Sequence, residues 1–434
     1  MLSKEVNSLM GNQSSPKKGR ALKTSYEAST ILRNYWETIH AAKKAGKPIG
    51  YCSGNAPVEL MYAFDILPAY PENYAAVVAS AKIALPLVQM AESKEFSHDL
   101  CSYAKINLGE VFWEGKGKPE MPFGGLPTPP DILLTTKIPC ITQVKWWEVL
   151  RDVYHCPMIL LDAPMLEGTV DNQPSEDQVD FVVDQLKLII AQLEDFTHTK
   201  FNEEKFFHCL SLSDQAGGLW HDIIDLRGEA VPTPVGSREM CGNVFSLVAM
   251  LGTETPVKFY QKMKEELQYK TWKKIGAIPN EKYRLLYENI PLWYNLEMLS
   301  DVENKGAVFV FETYLRYVWG GRIDLTDPYR GYAKKILSDV FLNMNLQLRY
   351  DIMARDIKNY HIDGVVFHSN RSCKRYSLGY YELKEMLLER LGIPSVVIEA
   401  DHSDPSGYSE GNTKMKLDAF IELLEERRNA GSRG

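Results

Sequence analysis

The sequence lacks long apolar runs and any excess of positive charge, and these two absences exclude two large classes of protein. No stretch of the 434 residues approaches the roughly 18 to 20 uninterrupted apolar residues that a membrane-spanning helix needs. The 57 acidic residues outnumber the 49 basic ones, which gives a net charge of −8 where nucleic-acid-binding proteins carry a basic surface. Residues 1–22 also lack the apolar core of a signal peptide. We therefore expect a cytoplasmic protein that binds neither membrane nor nucleic acid.

The sequence contains few cysteine residues, and their number is odd. The seven residues are Cys52, Cys101, Cys140, Cys156, Cys209, Cys241 and Cys373. Seven cysteines spread thinly over a long chain are typical of reduced thiols or metal ligands and not of a disulfide scaffold.

Glycine-rich motifs for nucleotides are missing as well. The chain contains no Gly-x-x-x-x-Gly-Lys-Ser/Thr phosphate loop, and no Gly-x-Gly-x-x-Gly follows a predicted strand. We therefore do not expect this chain to bind ATP or a dinucleotide itself.

The residues that are present predict a folded protein of several domains. Hydrophobic residues make up 45% of the chain and aromatic residues 11%, and 434 residues exceed what one hydrophobic core usually supports. Changes in pattern divide the chain into a flexible N-terminal arm (1–22), an N-terminal α/β domain (23–170), a helical subdomain (171–300) and a C-terminal α/β domain (301–434).

Both outer domains alternate short apolar runs with helical patterns. Strands are predicted at residues 49–52, 67–70, 131–135, 158–161, 307–311, 365–367 and 396–398. Helices are predicted at residues 26–44, 74–92, 141–154, 332–357, 380–390 and 414–427, with helical periodicity from 175 to 272. This order predicts an α/β fold with two Rossmann-like (flavodoxin-like) parallel-sheet domains and a helical middle subdomain.

Three cysteines stand alone near predicted element ends. Cys140 and Cys373 follow predicted strands, where function gathers in open α/β sheets, and Cys101 lies in a separate loop. An iron-sulfur cluster at a domain interface can take one thiolate from each of several loops. Buried free cysteines are also common, so spacing alone leaves both interpretations open. For Cys156, Cys209 and Cys241, core packing or chance is the better explanation.

Several segments resemble one family, the large cluster-binding subunits of 2-hydroxyacyl-CoA dehydratases and ATP-dependent benzoyl-CoA reductases. The resemblance runs from about residue 26 to 427. It includes Tyr70-Pro71-Glu72-Asn73-Tyr74, Asp99-Leu100-Cys101-Ser102-Tyr103, Pro130-Asp131-Ile132-Leu133-Leu134, Lys145-Trp146-Trp147-Glu148, Asn370-Arg371-Ser372-Cys373-Lys374 and Asp401-His402-Ser403-Asp404-Pro405.

The resemblance implies a cofactor and partners. Cys101, Cys140 and Cys373 match the three cysteines that bind a [4Fe-4S] cluster in this family, with the fourth iron open or bound to water or substrate. The cluster is then expected at the interface of the two α/β domains. The implied partners are a homologous second cluster-binding subunit, forming a heterodimer, a separate ATP-hydrolysing iron-sulfur protein that donates electrons, and an acyl-CoA substrate.

The resemblance also implies roles for three further residues. Glu72 matches the position of an active-site acid or base, although a carboxylate in the first turn of a helix also serves as a simple helix cap. Asn370 and Arg371 stand beside Cys373, where an amide and a guanidinium can donate hydrogen bonds to cluster sulfides or to a thioester.

Two reactions fit this family. The first is dearomatisation of an aryl-CoA, with benzoyl-CoA as the expected substrate, by low-potential single-electron transfers. The alternative is dehydration of an (R)-2-hydroxyacyl-CoA to an enoyl-CoA through a ketyl radical, and a third possibility is a subunit that only relays electrons to its partner. Gly54 replaces a serine found near the substrate hydroxyl in dehydratases, which favours the reductase. Ser406 and the pair Met415-Lys416 also depart from the family pattern.

Overall fold

The computed structural model of the chain describes residues 21–164, 173–318, 321–338 and 341–431. All but the last two residues of the predicted arm 1–22 lie outside these ranges. The first helix, α1 (Thr24–Lys44), forms where apolar residues recur at helical spacing, and its Ile31, Trp36 and Ile39 are buried. Within the described ranges, no helix combines the length and the apolar composition needed to cross a bilayer.

Four parallel strands form the first sheet. They are β1 (Ile49–Cys52), β2 (Leu67–Ala69), β3 (Ile132–Thr136) and β4 (Met158–Leu161), in the order β2-β1-β3-β4. All residues of β1 and β3 are buried, as expected for a parallel sheet covered on both faces. The four strands predicted in this region are confirmed.

Four further parallel strands form the second sheet. They are β5 (Tyr283–Glu288), β6 (Ala307–Glu312), β7 (Gly364–Asn370) and β8 (Ser395–Ala400), in the order β6-β5-β7-β8. Each sheet therefore places its second strand at one edge and its first strand beside its third. This is a doubly wound order with a switch point at the carboxyl ends of the inner strands, so the predicted α/β fold class is confirmed.

Strand β5 was not predicted, although it is an inner strand of the second sheet. It lies within residues 171–300, where the sequence predicted a helical subdomain. Its pattern is obscured because Arg284 and Glu288, usually surface residues, are buried in it. The Arg284 guanidinium is satisfied by the carbonyl oxygens of Tyr360, at 2.8 Å, and Ala230, at 3.1 Å. The Glu281 carboxylate, three residues earlier, also accepts from Arg284, but the two carbonyl oxygens lie 76 and 54 positions away, so no local signal could identify them.

Helices connect and cover the strands. In the first α/β region they are α2 (Val58–Ala63), α3 (Pro71–Ser80), α4 (Ala84–Ser93), α5 (Ser102–Val111), the 3-10 turn Pro122–Gly124 and α6 (Ile141–Tyr154). The middle region contains α7 (Glu176–Thr197), α8 (Glu203–Glu229), α9 (Ser237–Asn243), α10 (Phe245–Ala249) and α11 (Glu254–Trp272). The second α/β region contains the 3-10 turns Trp293–Ser300, Glu303–Lys305, Phe341–Asn343 and Pro405–Gly407, with α12 (Thr313–Tyr317), α13 (Pro328–Ser338), α14 (Leu346–Asn359), α15 (Lys374–Ser377), α16 (Tyr380–Leu391) and α17 (Glu410–Gly431).

Two predicted long helices are wrong because each is divided. Residues 74–92 form parts of α3 and α4, separated at Lys82, which has a left-handed φ of 60°. Pro86 lacks the N–H that a continuous helix would need there. Residues 332–357 form parts of α13 and α14, and the side chain of Asn345 caps the second of them by accepting a hydrogen bond from Leu348 N at 2.9 Å.

The two α/β regions meet at the carboxyl ends of their strands. The Ser102 backbone N–H, in the first region, donates to Ser372 Oγ in the loop after β7, at 3.2 Å. Ser102 Oγ lies 3.0 Å from Nε2 of His402, which follows β8. Both switch points therefore face the same space.

Candidate active site

A cavity of about 210 Å³ occupies the space between the two sheets. Loops that follow strands of both sheets line it, as expected for ligand sites of doubly wound folds. Six aromatic side chains contribute to its wall: Tyr70, Tyr103, Trp146, Trp293, Tyr314 and Tyr376. The surface of the cavity is largely apolar, and polar side chains such as those of Glu72, Gln143 and His402 also line it.

The three cysteines implied as cluster ligands all line this cavity. Each is the residue immediately before a helix: Cys101 precedes α5, Cys140 precedes α6 and Cys373 precedes the single turn α15. The backbone N–H of Thr142 donates to Cys140 Sγ at 3.4 Å. Backbone N–H groups of the following turn also lower the pKa of Cys101 and of Cys373, although burial outweighs them.

The thiols also affect one another. Burial raises the pKa of Cys101 well above its ordinary value, and the neighbouring Cys373 and Cys140 raise it further. Burial likewise raises the pKa of Cys373 to about 12, with Cys140 contributing. A buried set of mutually repelling thiolates is stabilised when positive metal ions lie among them, because the metal replaces the protons. The donor set therefore fits a polynuclear metal group.

The geometry of the cysteines does not fit a single metal ion. Among the described residues, no three His, Cys, Asp or Glu side chains converge closely enough to hold one ion. A mononuclear zinc site needs every sulfur at about 2.3 Å from one centre. In a cubane cluster each thiolate binds a different iron, so the sulfurs surround a volume instead of a point. The three thiols come from three separate loops and line one cavity.

Glu72 lies on the wall of the same cavity, in the first turn of α3. Its Oε2 accepts a 2.6 Å hydrogen bond from Gly54 N, and Oε1 accepts one from the Gln143 amide. Burial raises the pKa of Glu72, and these two hydrogen bonds partly oppose the shift. Both bonds reach other elements and not N–H groups of α3, so the carboxylate is positioned toward the cavity and does not serve as a side-chain cap.

His402 joins the loops that carry two of the cysteines. Its Nε2 lies 3.0 Å from Ser102 Oγ and 3.9 Å from Cys101 Sγ, and its ring packs edge-on against Tyr103 with centroids 4.2 Å apart. Its Nδ1 lies 3.1 Å from the Asn370 amide. Burial lowers the pKa of His402, which favours the neutral ring, although Asp401 opposes the shift.

Comparison with known proteins now identifies the family. The model of the family described as 2-hydroxyglutaryl-CoA dehydratase, D-component, matches residues 53–424. The chain belongs to this family. The resemblance stated from the sequence motifs is therefore confirmed.

The relatives include proteins of both reaction types. The alpha subunit of (R)-2-hydroxyisocaproyl-CoA dehydratase from Clostridioides difficile is 28% identical over 400 residues, which cover 92% of this chain and 95% of that protein. A benzoyl-CoA reductase subunit from Thauera aromatica is 28% identical over 421 residues, covering 93% and 94%. The alpha subunit of (R)-2-hydroxyglutaryl-CoA dehydratase from Acidaminococcus fermentans is 22% identical over 468 residues, covering 91% and 95%. Identity alone therefore does not separate reductase from dehydratase.

The two residues expected to support the cluster take different positions within this family fold. Asn370 is buried behind the cavity, where its amide contacts His402 and Asn289. Arg371 does not belong to the described cavity wall, and its Nη2 lies 3.3 Å from Asp404 Oδ2 and 3.2 Å from Ser406 Oγ. Ser406, one of the departures from the family pattern, thus contacts Arg371.

Sequence reasoning missed several residues of this site. Gln143, which holds Glu72, is three residues after Cys140 on the same helix, so a search for polar side chains one turn away could have found it. His402 lies in one of the segments that resemble the family, but nothing in that segment indicates its contacts with Ser102 and Cys101. Trp146 lines the cavity with its ring, while its Nε1 donates to Asn107 Oδ1 at 2.8 Å.

Proposed function

We propose that the chain is the cluster-binding catalytic subunit of an enzyme that transfers low-potential single electrons to an acyl-CoA thioester. The observation that carries the proposal is the meeting of Cys101, Cys140 and Cys373, from three separate loops, with Glu72 around one cavity. A relay subunit without substrate chemistry would have no need of a positioned acid beside the thiols.

The proposed cofactor is a [4Fe-4S] cluster held by Cys101, Cys140 and Cys373, with one iron left without a protein ligand. Such a cluster supplies single electrons and a Lewis-acidic iron. The chain itself contributes an enclosed and mostly apolar surrounding, in which aromatic side chains such as Trp146 and Trp293 exclude water from a reactive thioester.

The proposed role of Glu72 is general acid–base catalysis. Burial favours the protonated form, which can donate its Oε proton to the bound substrate. After donation, the N–H of Gly54 and the amide of Gln143 stabilise the carboxylate. The surroundings of Glu72 therefore stabilise both its protonated and its ionised form. A residue that donates a proton and later regains it needs both forms.

The first candidate reaction is the reduction of an aryl-CoA, with benzoyl-CoA as the proposed substrate. Support comes from the 28% identity to a benzoyl-CoA reductase subunit, from the aromatic cavity wall and from Gly54. Gly54 brings no hydroxyl group to the cavity, and its backbone N–H is already used by Glu72.

The second candidate is the dehydration of an (R)-2-hydroxyacyl-CoA. The same identity of 28% to the alpha subunit of a 2-hydroxyisocaproyl-CoA dehydratase supports it. A buried acid such as Glu72 would serve that reaction equally well, because the departing hydroxide has to be protonated.

The proposed partners are a homologous second subunit and a separate electron donor. Each of the relatives is named as one subunit of its enzyme, which supports a multi-subunit complex for this chain as well. The chain carries no phosphate-binding glycine loop, so the ATP hydrolysis that lowers the donor potential is assigned to another iron-sulfur protein.

Anaerobic assay of the complete complex tests these proposals. The chain, its partner subunit and an ATP-driven electron donor are incubated with benzoyl-CoA and, separately, with an (R)-2-hydroxyacyl-CoA. A reductase consumes two electrons per product, whereas a dehydratase needs only a catalytic amount of reductant. Failure to convert either class of thioester, by a complex that contains its full complement of iron, would contradict the proposed function.

A further inference from the structure

We propose that the site selects thioesters with an uncharged, bulky apolar acyl group, aromatic or branched, and rejects acyl groups that carry a second carboxylate. This inference rests on the proposed function, since it assumes that the cavity receives the acyl part of an acyl-CoA. The inference specifies the class of acyl group, which the relatives do not determine because their names include different acyl groups.

One side of the cavity consists of apolar residues from three parts of the chain. Val244 and Val248 come from the helical middle region, Ile290 and Trp293 from the loop after β5, and Tyr314 and Val318 from the segment after β6. We call these six residues the apolar wall. All six are buried against the rest of the protein.

The apolar wall and the proposed catalytic acid line the same cavity. Helix α3, which carries Glu72 in its first turn, contacts both α10, which contains Val248, and the 3-10 turn that starts at Trp293. The Ser80 hydroxyl at the end of α3 donates to the Trp293 carbonyl at 3.2 Å. A thioester placed within reach of Glu72 therefore has this apolar wall beside it.

The charged residues among the described lining of the cavity are Glu72, Asp99, Lys374 and Arg375, and none of them belongs to the apolar wall. Asp99 and Lys374 have side chains 64% and 58% exposed, and they lie 3.7 Å apart at the solvent side. Arg375, the cation on the partly buried wall, already donates from Nη2 to Asn343 Oδ1 at 3.1 Å.

Desolvation makes the difference between acyl groups large. An apolar side chain gains free energy when it leaves water for the apolar wall. A carboxylate placed there loses its hydration without gaining a matching donor, which costs far more than a missing contact. A very short acyl group fits sterically but leaves the wall partly uncovered and gains less. The wall is therefore expected to favour large apolar acyl groups over acyl groups that carry a carboxylate and over very short ones.

Binding to the anaerobically prepared full-length complex, without reductant, tests the inference. We expect 3-phenylpropanoyl-CoA and 4-methylpentanoyl-CoA to bind about tenfold or more tightly than glutaryl-CoA and acetyl-CoA, measured by calorimetry. These four thioesters share the CoA part, so differences report on the acyl group. Equal affinity for glutaryl-CoA would overturn the acyl preference while leaving the proposed function standing.

A variant of the wall sharpens the test. Val248→Phe is expected to weaken binding of 3-phenylpropanoyl-CoA about tenfold and to change acetyl-CoA binding less than twofold, because the larger ring occupies the acyl space. Val231→Phe, the same exchange at a residue 63% exposed and outside the described wall, should leave all four affinities unchanged. If no thioester binds to the wild-type complex at all, the proposed function itself fails. The affinities of the wild-type complex for the four thioesters test the acyl preference even if the Val248 variant does not fold.

Discussion

Cys101, Cys140 and Cys373 act at the scale of single residues. Each lies at the start of a helix and lines the same cavity, while Cys209 is buried within α8 and is not part of the described wall. Their local geometry differs from that of a core cysteine, because the thiol faces a space large enough to hold a ligand.

Replacing these cysteines should remove iron. We expect Cys101→Ala, Cys140→Ala and Cys373→Ala each to lower the iron bound per chain after anaerobic reconstitution by more than half, since each thiolate is proposed to hold one iron. Iron analysis and the electron paramagnetic resonance spectrum of the reduced protein measure this. Cys209→Ala is the matched control and should keep the wild-type iron content. Unchanged iron in all three variants would contradict the assigned ligands.

Glu72→Gln tests the proposed acid directly. The amide keeps the size of the side chain and can still accept the Gly54 N–H bond, but it cannot donate a proton as a carboxylic acid does. We expect kcat to fall by about 10²- to 10⁴-fold, the range typical of a lost general acid, with iron content unchanged. Wild-type turnover in this variant would favour a subunit that only relays electrons.

At the scale of elements, strand β7 carries a buried histidine whose charge state affects stability. His368 is fully buried, and its Nδ1 lies 2.9 Å from the Ile290 carbonyl oxygen. Burial lowers the pKa of His368 from its ordinary 6.5 to about 4. Between these two values the unfolded chain binds a proton at this position and the folded chain does not, so folding is favoured at higher pH.

The free energy of unfolding should therefore fall as the pH decreases from about 6.5 to about 4. The contribution of His368 is about 1.4 kcal/mol for each pH unit crossed in this window. Urea denaturation at several pH values, for the wild type and for His368→Asn, measures it, and the variant should show the smaller dependence. His208→Asn, at an exposed histidine of α8, should keep the wild-type dependence. Identical pH profiles for wild type and His368→Asn would refute the prediction.

At the scale of the whole molecule, a buried charge cluster joins the two α/β regions beside the cavity. Lys105 of α5 is fully buried, and its Nζ lies 2.8 Å from Glu92 Oε1 and 3.3 Å from Asp404 Oδ2 in the loop after β8. Arg371 contacts the same Asp404 oxygen. The loops that carry Cys101 and Cys373 are thereby tied together through Lys105 and Asp404, two side chains that are almost completely shielded from solvent.

Lys105→Met should weaken this junction strongly. Removing one partner of a buried ion pair leaves uncompensated charge and costs about 3 to 5 kcal/mol in the free energy of unfolding, measured by urea denaturation. Lys94→Met breaks a partly exposed pair with Glu114 and should cost no more than about 1 kcal/mol. A loss of similar size in both variants would show that the buried junction contributes no special stability.

The fold class could be predicted from local pattern, and its exceptions have identifiable causes. Of the eight strands in the part of the chain that the structure describes, seven are visible as apolar runs, because parallel strands covered on both faces need them. Strand β5 was missed because tertiary acceptors satisfy the buried Arg284, and those acceptors cannot be read locally. The break between α3 and α4 was missed although Pro86 marks it.

The sequence by itself determined the family, the two parallel-sheet regions and the positions of Cys101, Cys140, Cys373 and Glu72 at element ends, because each of these depends on local spacing or on a short motif. Only the tertiary structure decided which side chains share the cavity with them. Gln143 reaches Glu72, and His402 reaches Ser102, across 71 and 300 positions of the chain. The first meeting arises because segments that follow two strands of one sheet converge at its carboxyl edge, and the second because two separately wound sheets turn these edges toward one space. No periodicity along the chain records either arrangement.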